Sequence, residues 1–103
     1  SISHFLHSCM EPFFVYMVTN KYNNVLYTGM TNNLSRRVFE HKNKSAKGFT
    51  AKYNCVKLVW FEGHTDADEA LTRERLIKRW PREWKNRLVE RDNGEWRDLA
   101  EDW

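Results

Sequence analysis

The chain lacks most of the features that would place it outside the ordinary globular proteins. No apolar run approaches the roughly 20 residues a membrane helix needs. No stretch combines a charged start, an apolar middle and a small-residue cleavage site, as a secretory signal does. There is no internal repeat and no low-complexity tract. Only two cysteines occur in 103 residues, Cys9 and Cys55. They form no C-x-x-C pair, which argues against a zinc site and against thioredoxin-like chemistry. Two free thiols, a reducing compartment and a cytoplasmic location are the expectation.

What remains is enough for one core in one domain. Hydrophobic residues make up 41% and charged residues 30%, and the 15% aromatic share includes five Trp, which argues against disorder. Net charge is +3, a weak pointer to an anionic partner. Its distribution says more. Residues 11–60 carry 8 Lys/Arg against 2 Asp/Glu, and residues 61–103 carry 9 against 12. The first half is therefore the expected electrostatic footprint for nucleic acid.

Residues 1–11 read as a flexible leader without clear periodicity, in which Met10 is a candidate natural start. His4 and His7, three apart, are a conceivable metal pair within it, although a flexible tail is the simpler account. Residues 12–103 read as a single domain. Phe13–Thr19 is aromatic and β-branched and predicts a strand. The Asn-rich "NKYNN" predicts a hairpin turn, and Val25–Gly29 returns as a second strand. A turn symmetric about residues 21–22 would set Tyr16 opposite Tyr27. Asn32 or Asn33 can cap a helix that runs to about Asn43. A basic loop, with room for a short helical turn, follows over 44–54, then a third strand over Val56–Glu62, which "GHTDADE" stops. Asp66 and Glu69 have capping-box spacing at the head of a helix that ends near Trp80. Pro81 suits the first turn of a last helix, about Arg82–Arg91. Trp96, Leu99 and Trp103 mark a C-terminal segment that docks its apolar side. The expected fold is α+β, in the order β-β-α-β-α-α, with a three-stranded antiparallel sheet flanked by helices.

Several residues on these elements could carry chemistry. Glu74 lies on the inward side of its helix with Ala70 and Ile77. A carboxylate there needs a salt bridge or a hard divalent cation such as Mg²⁺. Arg37 and His41 share one helix face beside the apolar pair Leu34 and Val38. Arg37 can hold two phosphate oxygens at once, or it can simply be solvated; Arg36 points elsewhere. Tyr16 and Tyr27 are either half-buried packing residues or phenols placed to hold a water. Gly29 ends its strand where a side chain would obstruct a turn or a ligand.

In combination these residues resemble the GIY-YIG nuclease superfamily. The two signatures stand as Phe14-Val15-Tyr16 and Tyr27-Thr28-Gly29, with ten residues between the tyrosines. Arg37 follows Gly29 by eight, where the superfamily has its catalytic arginine. His41 and Glu74 fall where members carry a histidine or tyrosine and the metal-binding glutamate. "YTGMTNNLSRRVFEHK", "RERLIKRWPREWKNRLVE" and "NGEWRDL" resemble the small stand-alone bacterial branch. The resemblance spans about residues 12–99. Phe14 replaces the first Gly and Thr28 the usual Ile or Val, and Asn86 is a loose match to a late family Asn.

The resemblance implies a metal-dependent endonuclease that hydrolyses phosphodiester bonds in DNA, with one Mg²⁺ or Mn²⁺ on Glu74. It implies catalytic roles for Tyr16, Tyr27, Arg37, His41 and Glu74. Tyr16 would orient or deprotonate the attacking water, but a free phenol titrates near 10, so a base role needs a lowered pKa or help from the metal. Gly29, Arg36, Lys42, Lys44, Lys47 and Lys52 are the expected nucleic-acid contacts, with affinity that falls as salt rises. The substrate is expected to be DNA, with single-stranded or structured DNA favoured and RNA left open. The rival expectation is a nucleic-acid-binding module without catalysis.

Overall fold

The computed structural model describes residues 12–43 and 48–103. The expected leader, with Cys9, His4 and His7, lies outside them, as do Lys44 and Lys47. The elements are β1 (Phe13–Thr19), β2 (Leu26–Thr31), α1 (Leu34–Lys42), a single turn α2 (Phe49–Lys52), β3 (Lys57–His64), α3 (Ala67–Arg79) and α4 (Arg82–Asp92). The three strands form one antiparallel sheet in the order β2-β1-β3. This is the architecture read from the sequence, with α2 as the short helical turn of the basic loop.

β1 is the middle strand and is buried from Phe14 through Thr19. A strand covered on both faces reads as a continuous apolar run, which is why "FFVYMV" shows no alternation. Its side chains still alternate between two cores. Val15 and Met17 pack with Val59, Ala70, Ile77 and Val89 on the side of α3 and α4. Phe14, Tyr16 and Val18 pack with Leu34, Val38, Leu58 and Cys55 on the side of α1. Cys55 is a free thiol in that second core, and burial pushes its pKa up.

Local signals set the helix ends. The Asn33 side chain accepts from the Arg36 amide at the start of α1, and Asp66 accepts from the Glu69 amide at the start of α3. Pro81 stands at the N-cap of α4. β3 runs two residues past the expected stop, because Gly63 and His64 still pair with Phe14 and Phe13.

The C-terminal segment docks as expected, but through fewer of its apolar residues. Trp96 and Ala100 are buried, whereas Leu99 and Trp103 keep 36% and 45% of their surface exposed. Polar bonds hold the rest. The Leu99 amide donates to the Leu58 carbonyl at 2.7 Å, and Asp98 accepts from the Leu58 amide at 3.1 Å. Asn93 donates to the Val59 carbonyl at 3.1 Å. Among the described residues no helix is long and apolar enough to cross a membrane.

Candidate active site

The hairpin register differs from the symmetric expectation. Tyr16 faces Gly29, and Tyr27 faces Val18. The loop centres one residue later than expected, with Asn23 in the left-handed region at φ 59° and the Asn23 amide bonded to the Asn20 carbonyl. That moves the partner of Tyr16 by two residues. An even shift preserves the faces of a strand, so both tyrosines still point to the α1 side, with ring centroids 6.5 Å apart. The register also explains Gly29. A Cβ there would lie 2.6 Å from the Tyr16 hydroxyl and 2.7 Å from its Cζ. Tyr16 lies flush over bare backbone. Gly29→Ala is expected to cost about 1–3 kcal/mol of stability, as overpacking does, and to shift the Tyr16 hydroxyl from its partners. Urea unfolding measures the first effect.

Those partners come from α1. The Arg37 Nε donates to the Tyr16 hydroxyl at 3.3 Å, and His41 Nε2 lies 3.0 Å from that hydroxyl. His41 Nδ1 lies 3.1 Å from the Thr50 hydroxyl on α2. Burial, with the nearby Arg37 charge, lowers the His41 pKa to about 4, so the ring is neutral near pH 7. One tautomer satisfies the chain. Nδ1–H donates to Thr50, Nε2 accepts from the Tyr16 O–H, and the Tyr16 oxygen accepts from Arg37. In the other tautomer two donors would meet at the Tyr16 oxygen, and its own buried proton would find no acceptor there.

Burial bears on two of the expected roles. His41 is only 3% exposed, and it is a buried part of the site's frame. Tyr16 is 1% exposed, and burial pushes its pKa up to about 12 despite the opposing effect of Arg37. A phenol raised in this way is poorly suited to deprotonate water.

The buried histidine makes the fold acid-sensitive. Its folded pKa, about 4, lies below the ordinary 6.5. Across that window the unfolded chain takes up a proton that the fold resists. Stability is therefore complete above about pH 6.5 and is lost as pH falls toward 4, by on the order of 3 kcal/mol. Urea midpoints from pH 7 to 4 should fall steeply in the wild type and less steeply in His41→Gln.

Arg37 is the exposed end of this chain, with 38% of its side chain accessible. Its Nη1 donates to Glu40 at 3.0 Å; its Nη2 makes no hydrogen bond among the described residues. Arg36 and Arg37, set apart by helical phase in the sequence, line the same shallow depression of about 360 Å³ with Phe13, Met30, Thr31 and Asn32. The other expected cations diverge. Lys42 is ion-paired with Asp98 of the C-terminal segment, and Lys52 lies beside Tyr53.

α3 brings Glu74 from the other side of the sheet. Its charge reaches Tyr16, where it helps to raise the phenol pKa. Its side chain is 14% exposed, and its carboxylate pairs with Lys78 at 3.2 Å. Lys78 also stands 5.7 Å from the centroid of Tyr27, which sets Glu74, Lys78 and Tyr27 in one neighbourhood. Among the described residues no group of three or more His, Cys, Asp and Glu could cage an ion. A single carboxylate is nevertheless a donor set that fits Mg²⁺ or Mn²⁺, hard ions that keep several waters and share phosphate oxygens. The exposed Lys78 partner would be cheap to displace.

Sequence reasoning missed the cations of the acidic half. Lys85 has its pKa lowered by burial and by the charges of Arg82 and Lys78, so three positive groups lie within electrostatic reach of one another, and Lys78 among them stands beside Tyr27. Arg82 also donates to the Asn23 and Asn24 carbonyls, at 2.6 and 3.3 Å, and so ties α4 to the hairpin turn. The i, i+4 spacing of Glu74 and Lys78 was the available signal. Asn86 accepts from Arg82 at 2.8 Å. Thr28 departs from the family pattern, and its buried hydroxyl has no hydrogen-bond partner among the described residues.

Fold and site together define a small α+β domain of the GIY-YIG nuclease class. The GIY-YIG catalytic domain family matches residues 12–87, and the chain belongs to that family. It is 42% identical over 64 residues to a UPF0213 protein of Clostridium perfringens, covering 62% of this chain and 69% of the relative. It is 37% identical over 81 residues to a UPF0213 protein of Staphylococcus epidermidis, covering 79% of this chain and 98% of the relative. The solution NMR structure of a UPF0213 protein from Bacillus halodurans has the same fold, with a TM-score of 0.55 at 24% identity, covering 87% of this chain and 95% of that one.

Proposed function

We propose that this protein is a divalent-metal-dependent endonuclease that hydrolyses phosphodiester bonds in DNA, with single-stranded or structured DNA as substrate. The observation that carries the reading is the hydrogen-bonded chain Arg37–Tyr16–His41–Thr50, with Arg37 at its exposed end and Glu74 within electrostatic reach. Such a chain fixes a guanidinium before substrate arrives, and preorganised charge is what a phosphoryl transition state needs.

The residues divide the work as follows. Arg37 binds the non-bridging oxygens of the scissile phosphate as negative charge builds on them. Tyr16 and His41 hold Arg37 in place and stay out of contact with water. Tyr27, half-buried at the edge of the sheet, orients the attacking water. Lys78 and Arg36 hold flanking phosphates. Glu74 would hold the ion, which when bound supplies Lewis-acid stabilisation of the phosphate and of the leaving 3′ oxygen.

The test is a cleavage panel. Single- and double-stranded DNA and RNA are incubated with Mg²⁺, Mn²⁺ or chelator, and products are resolved by length. DNA cleavage that appears only with metal is the expected result. Retention of DNA without cleavage under every condition would sink the proposal and leave a binding module.

A further inference from the structure

The nuclease reading leaves unused a groove at the end of the sheet. The β1–β2 turn forms one wall and the α2–β3 link the other. Asn20, Lys21, Tyr22, Tyr53, Asn54 and Val56 line about 300 Å³. Tyr22 is 71% exposed and Tyr53 40%. Each has the preceding lysine beside its ring, Lys21 at 5.0 Å and Lys52 at 5.4 Å from the centroid. Lys21 lines the groove, Lys52 stands outside the lining beside Tyr53, and the lining holds no carboxylate.

We propose that this groove is a subsite for unpaired nucleotides of a single-stranded DNA, with bases against Tyr22 and Tyr53 and phosphates on Lys21 and Lys52. The inference rests on the nuclease reading and names how its substrate is held. Two exposed phenols with adjacent lysines match the two parts of a nucleotide, a flat base and an anion. Aromatic platforms flanked by cations hold single strands in this way. A duplex offers no such contact, because its base faces are already stacked. The groove is also connected to the reaction centre. Thr50, which holds His41, lies on α2, whose last residue is Lys52. Thr19 pairs with Leu26 and Lys57 at this end of the sheet, three residues from Tyr16 along β1. At the rise of a strand that is about 10 Å, so one extended strand of DNA can occupy both places.

Binding is measured in chelator, so that no cleavage intervenes, with labelled oligothymidylate, an abasic strand of equal length and a hairpin duplex. Tyr22→Ala and Tyr53→Ala are each expected to raise the Kd for oligothymidylate by about fivefold to 150-fold. Affinity for the duplex and the abasic strand should stay the same, and Tyr22→Phe and Tyr53→Phe should bind as the wild type does. Ultraviolet crosslinking of an iodouracil-substituted strand should label Tyr22 or Tyr53. Both side chains are exposed, so thermal unfolding should not change. An oligouridylate weakened less than oligothymidylate supports DNA as the occupant; one weakened more assigns the groove to RNA and overturns that choice. Alanine variants that bind oligothymidylate normally, or a wild type that binds the abasic strand equally well, overturn the subsite. The two readings fail separately. A protein that cleaves with metal but ignores both tyrosines loses only the groove. One that never cleaves, yet loses single-strand binding with the tyrosines, loses only the nuclease activity.

Discussion

Glu74→Ala should remove metal-dependent cleavage, with a rate loss of at least about 10³, since a metal ion contributes several kcal/mol to the transition state. The fold should survive. The Glu74 carboxylate pairs with Lys78, whose side chain is 47% exposed, and such pairs contribute little to stability. A melting temperature near that of the wild type, together with lost cleavage, is the expected pattern. A second readout needs no substrate. The Glu74 charge helps to raise the Tyr16 pKa, so the phenol should titrate lower in the variant. Glu74→Asp should recover part of the activity at high Mn²⁺, because an oxygen donor remains. Full metal-dependent cleavage by Glu74→Ala would overturn the assignment.

Arg37→Ala should lower kcat by about 10²–10³, the usual cost of one transition-state donor. Arg37→Lys should do little better. The guanidinium uses Nε toward Tyr16 and Nη1 toward Glu40, and an ammonium cannot reproduce that planar fork. The control is Arg36→Ala. Arg36 lines the same depression but makes no bond to the tyrosine chain, so its loss should weaken binding at low salt and leave kcat nearly unchanged. Equal losses in both variants would mean that the pair acts only as general positive charge. Tyr16 gives a further check. Its hydrogen bond from Arg37 lowers the phenol pKa, so Arg37→Ala should raise it.

The sequence was most informative where the determining contacts are local. The bounds of β1 follow from one apolar run, and the starts of α1 and α3 from Asn33 and Asp66, which bond to amides three residues away. The set Tyr16, Tyr27, Gly29, Arg37, His41 and Glu74 was named from helix faces and strand positions together with the resemblance to the GIY-YIG nucleases. The structure brings them together around the hairpin. The extra residues of β3 were not legible, because Gly63 and His64 stay in the sheet through partners some fifty positions earlier.

By itself, then, the sequence determined the family, the order of the elements and the polar residues available to a site. The elements depend on periodicity and capping within a few residues, and the family on motifs matched in order along the chain. Only the tertiary structure decided what those residues can do. The hairpin loop set Tyr16 over Gly29. Packing of α1 and α2 buried His41 and shifted the two pKa values apart, so that Tyr16 and His41 form a frame for Arg37. The C-terminal segment paired Lys42 with Asp98, 56 positions away, while α3 brought Lys78 beside Tyr27. Burial and charge reach are set by elements distant in sequence, and no local pattern records which ones will meet.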